Sequence, residues 1–292
     1  MLTRVSKLAD KAILVKLTIR RAALTRRDNA LTAKVQAAEQ DVGITVLTKL
    51  FTDKASPINK IMRAVNEVYS YHKTQTLPYV DAGPRILPNA NYFTYTHEVQ
   101  HKIALVENML DTYMPYYDQL VRDDVMYRNA GRAAGRAHVD EYPSADAFRR
   151  SMSLEYKFSP MPDARHFLFD LSEADMQAVE QAENDALAAA NADTINRMLK
   201  PLGALVERLG EYQGGKGERF HPTVISNVLD GIKEARSLML FPNAELEEHI
   251  AALETLTKKY LDNVEMVKGS AVVRDDARAK LKEAADKMSA YF

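Results

Sequence analysis

The sequence predicts a mainly helical protein, a multi-helix assembly of long amphipathic helices that can also include a small two-stranded β element. Two observations lead to this prediction. Apolar residues recur at the helical period over long segments, most clearly over residues 57–72 and 92–113. Residues that favour helix starts stand directly before several such segments, and prolines and glycines separate them.

Residues 13–19 are the first element, and they alternate apolar and polar side chains as a half-buried strand does. Leu14 breaks the alternation, and the alanines on either side leave a helix open as the competing interpretation. Residues 167–171 form a second strand-like run. The two runs could pair, although an isolated pair of strands is only marginally stable unless it packs on helices.

Two helices are expected next. The first covers residues 28–50. The second begins at Ser56 and Pro57, because serine is a good N-cap and proline suits the first helical position. An apolar stripe continues this second helix to about His72.

Residues 74–91 contain three of the 11 prolines and are therefore predicted to be a loop without a helix. A long helix follows from about Tyr92 to Tyr113. At about 100° per residue, its buried side centres on Val99, and this stripe includes Tyr92, Tyr95, Thr96, Ile103, Val106, Leu110, Tyr113, Met114 and Tyr117.

The C-terminal half is also expected to be helical. Ser172 and Asp175 resemble a capping box that opens a helix reaching about Leu199. The glycines of residues 214–217 form a flexible connector. Three further helices are predicted, at residues 222–240, 244–264 and 274–290.

A chain of 292 residues can form one large domain or two smaller ones. The proline-rich breaks favour an N-terminal helical region, residues 1–158, which contains the loop at 74–91, and a C-terminal helical region, residues 159–292. One continuous domain is the alternative.

Composition narrows the function classes. The formal net charge is −1, so no global basic field indicates nucleic-acid binding. The chain has no cysteine, which excludes disulfides, thiolate catalysis and cysteine-ligated zinc and suits a reducing cytoplasm. No apolar run approaches the roughly 18 residues of a membrane span. We therefore expect a cytoplasmic protein without a membrane segment and without a cofactor.

The pentapeptide His97-Glu98-Val99-Gln100-His101 matches a known zinc-binding motif. Two histidines at positions i and i+4 of a helix can bind Zn²⁺, and the glutamate between them can act as a general base. Yet the helical wheel places His97 and His101 about 160° from Val99, opposite the buried stripe. A catalytic zinc also needs a third protein ligand, and Glu107, Asp111 and Asp124 stand in no recognisable follow-on motif. Two solvent-facing histidines are the favoured interpretation.

The N-terminus is strongly basic. The first 30 residues hold eight basic residues against two acidic ones, and the four arginines Arg20, Arg21, Arg26 and Arg27 stand close together. Such a segment can bind phosphates, dock an acidic partner, or simply solvate an element surface. Further along, a basic ridge is expected if residues 128–136 are helical, from Arg128, Arg132 and Arg136. These arginines follow several tyrosines, a pattern that suits single-stranded nucleic acid.

Two stretches carry a resemblance to a known family. The first is residues 68–73 with the loop that contains Leu77-Pro78-Tyr79, Arg85-Ile86-Leu87-Pro88 and Asn91-Tyr92; the second is Gly217-Glu218-Arg219-Phe220, residues 224–228, and Arg274, Asp275 and Arg278. Together they resemble a family of uncharacterised proteins from bacteriophages, prophages and mobile elements. Its genes often lie near those of a MoxR-like AAA+ ATPase and a von Willebrand A-type protein.

The resemblance implies a phage-encoded protein that acts in the cytoplasm of the infected cell, as a partner or adaptor of an AAA+ ATPase. Self-association is the alternative for the partner. It brings no catalytic residues. Within the loop at 74–91, Tyr79 and Arg85 are the side chains most suited to contact a partner, because the proline-rich segment can hold them in place at low entropic cost. A connector packed on the core is the alternative for this loop.

Three functions therefore follow from the sequence. The first is a non-enzymatic helical interaction protein that binds a protein partner. The second is a nucleic-acid-binding accessory protein that uses the basic N-terminal segment. The third, and the least favoured, is a zinc hydrolase through His97, Glu98 and His101.

Overall fold

The computed structural model is mainly helical, which confirms the predicted fold class, and it describes residues 8–79, 83–131, 137–162, 172–214 and 218–291. The chain divides into two units. Unit 1 comprises Met1–Lys16, Lys73–Phe93 and Lys157–Phe292, and unit 2 comprises Leu17–His72 and Thr94–Tyr156. The division at residue 158 that the sequence suggests stays a prediction.

Five strands occur among the described residues, and they form two antiparallel arrangements. A three-stranded sheet has the order β4-β1-β5, and a two-stranded sheet joins β2 and β3. The strands are β1 (Ala12–Arg20), β2 (Thr25–Arg27), β3 (Leu47–Lys49), β4 (Arg85–Pro88) and β5 (Ser153–Ser159).

The helices account for most of the described chain. Three short 3₁₀ turns accompany them, at Asn89–Asn91, Met114–Tyr116 and Val139–Glu141. The α-helices are α1 (Asn29–Glu39), α2 (Pro57–Thr74), α3 (Tyr92–Tyr113), α4 (Tyr117–Ala130), α5 (Ala145–Arg150), α6 (Glu173–Glu211), α7 (Thr223–Leu238), α8 (Ala244–Asp262), α9 (Val264–Gly269) and α10 (Ala271–Ser289).

The alternating segment near the N-terminus is a strand, β1, and the helical interpretation of it is wrong. β1 pairs with β4 in an antiparallel register that sets Ala12 opposite Pro88 and Val15 opposite Arg85. Strand β4 comes from the proline-rich loop, whose described residues contain no α-helix beyond the end of α2, as predicted. The expected partner run at 167–171 lies outside the described residues.

The helix predicted over residues 28–50 is wrong in its second half. Asp28 caps α1 by accepting a hydrogen bond from the backbone N–H of Leu31 at 2.8 Å. The helix ends at Gln40, which adopts a left-handed conformation with φ of 54°. The side chain of Gln36 then donates to the carbonyl oxygens of Val42 and Ile44, which turns the chain back toward strand β3.

The two best-patterned helices agree with their predictions. α2 begins at Pro57, and α3 has the predicted limits. The predicted stripe of α3 is also confirmed, because Val99, Val106 and Leu110 are fully buried. Burial of this stripe determines which side of α3 remains in solvent.

Helix α6 continues well past Leu199, where it was expected to end. Pro201 lies inside it and has no N–H, so the carbonyl oxygen of Arg197 lacks its intrahelical donor. At this point α7 approaches closely through Gly231. A Cβ added at Gly231 would lie 2.5 Å from that carbonyl oxygen. Packing between α6 and α7 therefore supports the helix through a residue that usually ends one.

The helices of the C-terminal half form an extended apolar core in unit 1. The predicted helices at 222–240, 244–264 and 274–290 are confirmed as α7, α8 and α10. Asn243 caps α8 by accepting from the N–H groups of Glu245 and Leu246. Buried residues from α6, α7, α8 and α10 include Leu202, Leu205, Val228, Ile232, Ile250, Leu253 and Leu281.

Candidate functional site

The basic segment, defined here as Arg20, Arg21, Arg26 and Arg27, is exposed at the end of β1 and in β2. Arg21 donates to the side-chain oxygen of Asn66 at 3.1 Å. Arg26 lies 3.9 Å from a carboxylate oxygen of Glu141, a loose ion pair. Within the described part of the chain, Arg20 and Arg27 form no ion pair. The segment therefore presents positive charge that unit 2 does not neutralise.

A recess adjoins this segment in unit 2, and we call it the β1–α2 recess. Its lining is Ile19, Arg21, Val65, Asn66 and Tyr69, and its volume is about 440 Å³. Ile19 and Arg21 point to the same side because alternate residues of an extended chain share a face. Val65 and Tyr69 are four residues apart on α2, so they also share a side. Tyr69 is 49% exposed, which leaves part of its ring accessible.

The outer side of α4 carries large apolar side chains in solvent. We define the α4 outer face as Tyr116, Met126 and Tyr127, which are 65%, 69% and 56% exposed. Tyr116 directly precedes the helix, and eleven residues, about three turns, separate it from Tyr127, so both side chains leave on similar sides. The opposite side of α4 is buried through Tyr117, Val121, Asp124 and Arg128.

Tyr79 and Arg85, the residues predicted to form a contact surface, line a cavity of about 530 Å³ in unit 1. Arg85 donates from Nε to the hydroxyl of Thr76 at 2.7 Å and from Nη2 to the Thr76 carbonyl at 2.9 Å. Burial raises the pKa of Tyr79, and the charge of Glu183 raises it further. The loop thus brings both predicted side chains to one cavity.

Arg197 of α6 braces the same cavity, and sequence reasoning missed it. Its guanidinium pairs with Asp193 at 2.8 Å and with Glu234 of α7. It also donates to three backbone carbonyl oxygens beyond and at the end of α2, those of Lys73, Thr74 and Thr76. The two carboxylates offset much of the positive charge here, so this cavity is built around an internal ion-pair network.

The histidine pentapeptide lies on the solvent side of α3. His97 and His101 are exposed, while Val99 between them is fully buried, as the helical wheel predicts. Nδ1 of His97 is 3.4 Å from a carboxylate oxygen of Glu98. Across the described ranges, no three His, Asp or Glu side chains are grouped so that they could hold a metal ion. The structure therefore brings no third ligand to this pair.

Two of the three carboxylates considered as third ligands have close partners of their own, and the third, Asp111, lies 3.8 Å from Arg149. Glu107 pairs with Arg149 at 2.5 Å. Asp124 is buried, and it accepts from the backbone N–H groups of Phe51 at 2.7 Å and Thr52 at 2.8 Å. Both carboxylates therefore serve contacts within unit 2.

The expected ridge of arginines needs a correction at Arg128. α4 ends at Ala130, and Arg128 faces inward with an exposure of 8%. It donates to a carboxylate oxygen of Glu141 at 2.8 Å and to the hydroxyl oxygen of Tyr142 at 2.9 Å. The other two residues of the ridge, Arg132 and Arg136, lie outside the described residues. Arg128 is thus a structural residue, because its charge compensates buried acceptors.

Tyr142 completes this buried network. Its hydroxyl donates to the carboxylate of Asp124. Burial is the main cause that raises the pKa of Tyr142 to about 12, and the hydrogen bond to Asp124 adds to it. The ring packs edge-on against Phe51, whose backbone has a positive φ of 50°. A bulky residue rarely adopts this conformation, and Asp124 holds it by binding two successive N–H groups. We found no signal for this network in the sequence.

Comparisons with known proteins assign no function to the residues described above. No protein-family model, curated protein or solved structure matches this chain. Among the described helices, none is both long and apolar enough to cross a membrane.

Proposed function

We propose that this protein is a helical interaction protein that binds a protein partner through the α4 outer face. The observation that carries the proposal is the exposure of Tyr116, Met126 and Tyr127 on a helix whose opposite side already fills the core of unit 2. These three side chains contribute little to folding where they stand. Tyrosine and methionine are enriched at protein interfaces.

The energetic argument supports the same surface. Burying one large apolar side chain contributes about 1.5–3 kcal/mol, and a few such residues dominate the affinity of a typical interface. Beside the apolar residues, Gln119 accepts a hydrogen bond from Arg122 and donates one to Asp123.

The setting of the partner comes from the family resemblance. A phage or prophage protein acts in the cytoplasm of a bacterial cell, where an AAA+ ATPase or a second copy of the chain is the proposed partner. This function requires no cofactor and no turnover by the chain itself.

The test is site-specific photo-crosslinking in the native host cell, with and without phage infection. A photoreactive amino acid replaces Met126 in one strain and Lys34, an exposed residue of α1, in the control strain. We expect a discrete crosslinked product from position 126 and none from position 34. Equal products from both positions, or none from either, would contradict the proposal.

Reconstitution with the identified partner makes the test quantitative. We expect Tyr127→Ala and Met126→Ala each to weaken the complex about tenfold or more, because truncation of a central apolar side chain costs about 1–2 kcal/mol. Lys34→Ala is the control and should leave Kd unchanged. Unchanged affinity in both α4 variants would remove α4 from the interface.

A second candidate function is nucleic-acid binding, and the exposed charge of Arg20 and Arg27, which form no ion pair among the described residues, supports it. Each arginine that contacts a phosphate releases a counterion and steepens the salt dependence of binding. We expect Arg20→Ala with Arg27→Ala to weaken binding of a single-stranded oligonucleotide and to lower the salt slope by about two. The charge-matched control is Lys200→Ala with Lys233→Ala, two exposed residues of unit 1. Equal loss in both double variants would exclude a local site.

A further inference from the structure

The β1–α2 recess combines three kinds of surface in a small space. Ile19 and Val65 supply aliphatic walls, Tyr69 supplies a half-exposed aromatic ring, and Asn66 and Arg21 supply polar groups. The volume of about 440 Å³ falls within the range of small-ligand pockets, about 300–1,000 Å³. The recess is therefore large enough for a planar ring system.

We infer that the β1–α2 recess is a stacking site for one base of a single-stranded nucleic acid, with the adjacent phosphates on the basic segment. The inference rests on the second candidate function and names the part of the ligand that the recess takes. Every base presents a flat π face, and stacking of bases on tyrosine recurs in proteins that bind single strands.

The polar side chains suit the rest of a nucleotide. Arg21 has five N–H donors, and its one hydrogen bond among the described residues goes to Asn66, which orients the guanidinium at the edge of the recess. The Asn66 amide group keeps two donors, which match the acceptor atoms on base edges. Arg20 lies between Ile19 and Arg21 and points to the other face of the extended chain, so Arg21 is the cation at the recess and Arg20 adds exposed positive charge behind it.

Charge placement on α2 also agrees with an anionic ligand. Glu67 lies two residues before Tyr69, about 200° around the helix from it, and therefore points away from the ring. Val65 and Asn66, which share the recess with Tyr69, carry no charge.

An acidic protein segment is the competing ligand, and the ring argues against it. A carboxylate gains from arginines, but the face of an aromatic ring carries negative charge density and does not attract an anion. The aliphatic walls of Ile19 and Val65 likewise offer nothing to a carboxylate. A nucleotide suits both parts of the site, because its flat, uncharged base can stack on the ring of Tyr69 and its phosphate can bind the arginines.

The test compares two labelled ligands by fluorescence anisotropy, a 12-nucleotide oligothymidylate and an abasic strand of the same length. We expect Tyr69→Ala to weaken binding of oligothymidylate about tenfold and to leave the abasic strand unaffected. Tyr69→Phe keeps the aromatic face and should change affinity less than twofold. Phe93→Ala, at an exposed aromatic residue that belongs to neither proposed surface, is the matched control and should change nothing.

A second measurement uses the unaltered protein, so that it does not depend on how a variant folds. Oligonucleotides that carry 5-iododeoxyuridine are crosslinked by ultraviolet light, and the attached peptide is identified by mass spectrometry. The expected site of attachment is Tyr69. Attachment only to residues outside the recess would overturn the inference.

The outcomes separate this inference from the function on which it rests. Equal binding of the abasic strand and oligothymidylate, sensitive to Arg20→Ala and not to Tyr69→Ala, would overturn the stacking site and leave nucleic-acid binding intact. No binding of either strand would overturn both. Equally tight binding of poly-glutamate would overturn the stacking site in favour of an acidic protein segment.

Discussion

Unit 1 and unit 2 are stabilised in different ways. In unit 1, α6, α7, α8 and α10 bury aliphatic side chains that recur every three or four residues, such as Met198, Leu202, Leu205 and Leu209 of α6. In unit 2, a buried carboxylate, Asp124, holds the backbone of a segment 73 residues away in sequence, at Phe51.

This difference between an aliphatic core and a buried polar network indicates which substitutions each unit tolerates. An aliphatic core adapts to volume-conserving substitutions, so the helices of unit 1 depend most on how closely their backbones approach. A buried polar network depends on every member, since loss of one partner leaves the others unsatisfied in a low dielectric. The predictions below test this contrast, beginning with the largest expected effect.

Removal of the carboxylate should damage unit 2 most. Asp124→Ala leaves the N–H groups of Phe51 and Thr52 and the hydroxyl of Tyr142 without their acceptor. We expect a loss of roughly 3–5 kcal/mol in the free energy of unfolding, measured by urea denaturation. Asp123→Ala, at the exposed neighbour, should change stability by less than about 0.5 kcal/mol. Similar losses of stability in both variants would show that the buried hydrogen bonds of Asp124 stabilise unit 2 no more than the exposed side chain of Asp123 does.

The close approach of α6 and α7 gives the matching test in unit 1. Gly231→Ala places a Cβ 2.5 Å from the carbonyl oxygen of Arg197, so the helices must move apart. We expect a loss of about 2 kcal/mol in the free energy of unfolding.

Gly203→Ala is the control for this substitution, because a Cβ added there meets no atom within 4 Å. The better helix propensity of alanine should then stabilise the protein by up to about 1 kcal/mol. A stabilising Gly231→Ala would show that the two helices have room to separate.

Alkaline pH should weaken the network of unit 2. In the folded state the pKa of Tyr142 is raised from 10.0 to about 12, chiefly by burial. The unfolded chain therefore loses this proton first, so the contribution of Tyr142 is complete below pH 10 and declines as the pH rises toward 12.

The measurement is the urea midpoint between pH 8 and pH 11.5. Tyr142→Phe should begin with lower stability, because it loses the hydrogen bond to Asp124, and should decline less steeply. Tyr127→Phe, at an exposed tyrosine, should follow the unsubstituted protein. A decline as steep in Tyr142→Phe as in the unsubstituted protein would assign alkaline unfolding to other groups.

The smallest effect is expected at Tyr117, which packs beside Phe51 and Phe148 in the same core. Its buried hydroxyl has no hydrogen-bond partner among the described residues. Tyr117→Phe should therefore leave the free energy of unfolding unchanged or raise it by up to about 1 kcal/mol. A loss above about 1 kcal/mol would reveal a polar contact to this hydroxyl.

Sequence periodicity predicted the elements whose limits follow from the residue pattern of their own segment. The limits of α3 follow from a long apolar stripe that begins directly after a proline-rich segment. Strand β5 carried a comparable signal, because Leu154, Tyr156 and Phe158 alternate with polar residues. The predicted strands at 13–19 and 167–171 did not include this segment.

Contacts distant in sequence account for what periodicity could not predict. α6 passes Pro201 because Gly231 of another helix packs there. Arg128 faces inward because Glu141 and Tyr142 follow α4 and meet it. In the β1–α2 recess, Arg21 belongs to a cluster visible in the sequence, whereas Asn66 and Tyr69 join it only through the packing of α2 beside β1.

The order of the units along the chain has a consequence for synthesis. Both segments of unit 2 have been synthesised once Tyr156 is added, whereas unit 1 needs Met1–Lys16 as well as the helices after Lys157. At about 5–20 residues per second, the 82 residues from Lys157 to Leu238 take roughly 4–16 s to be made. During that interval Leu14 and Ile86 lack their core neighbour Leu238. The apolar residues of unit 1 near the N-terminus therefore lack part of their core while every residue of unit 2 has already been made.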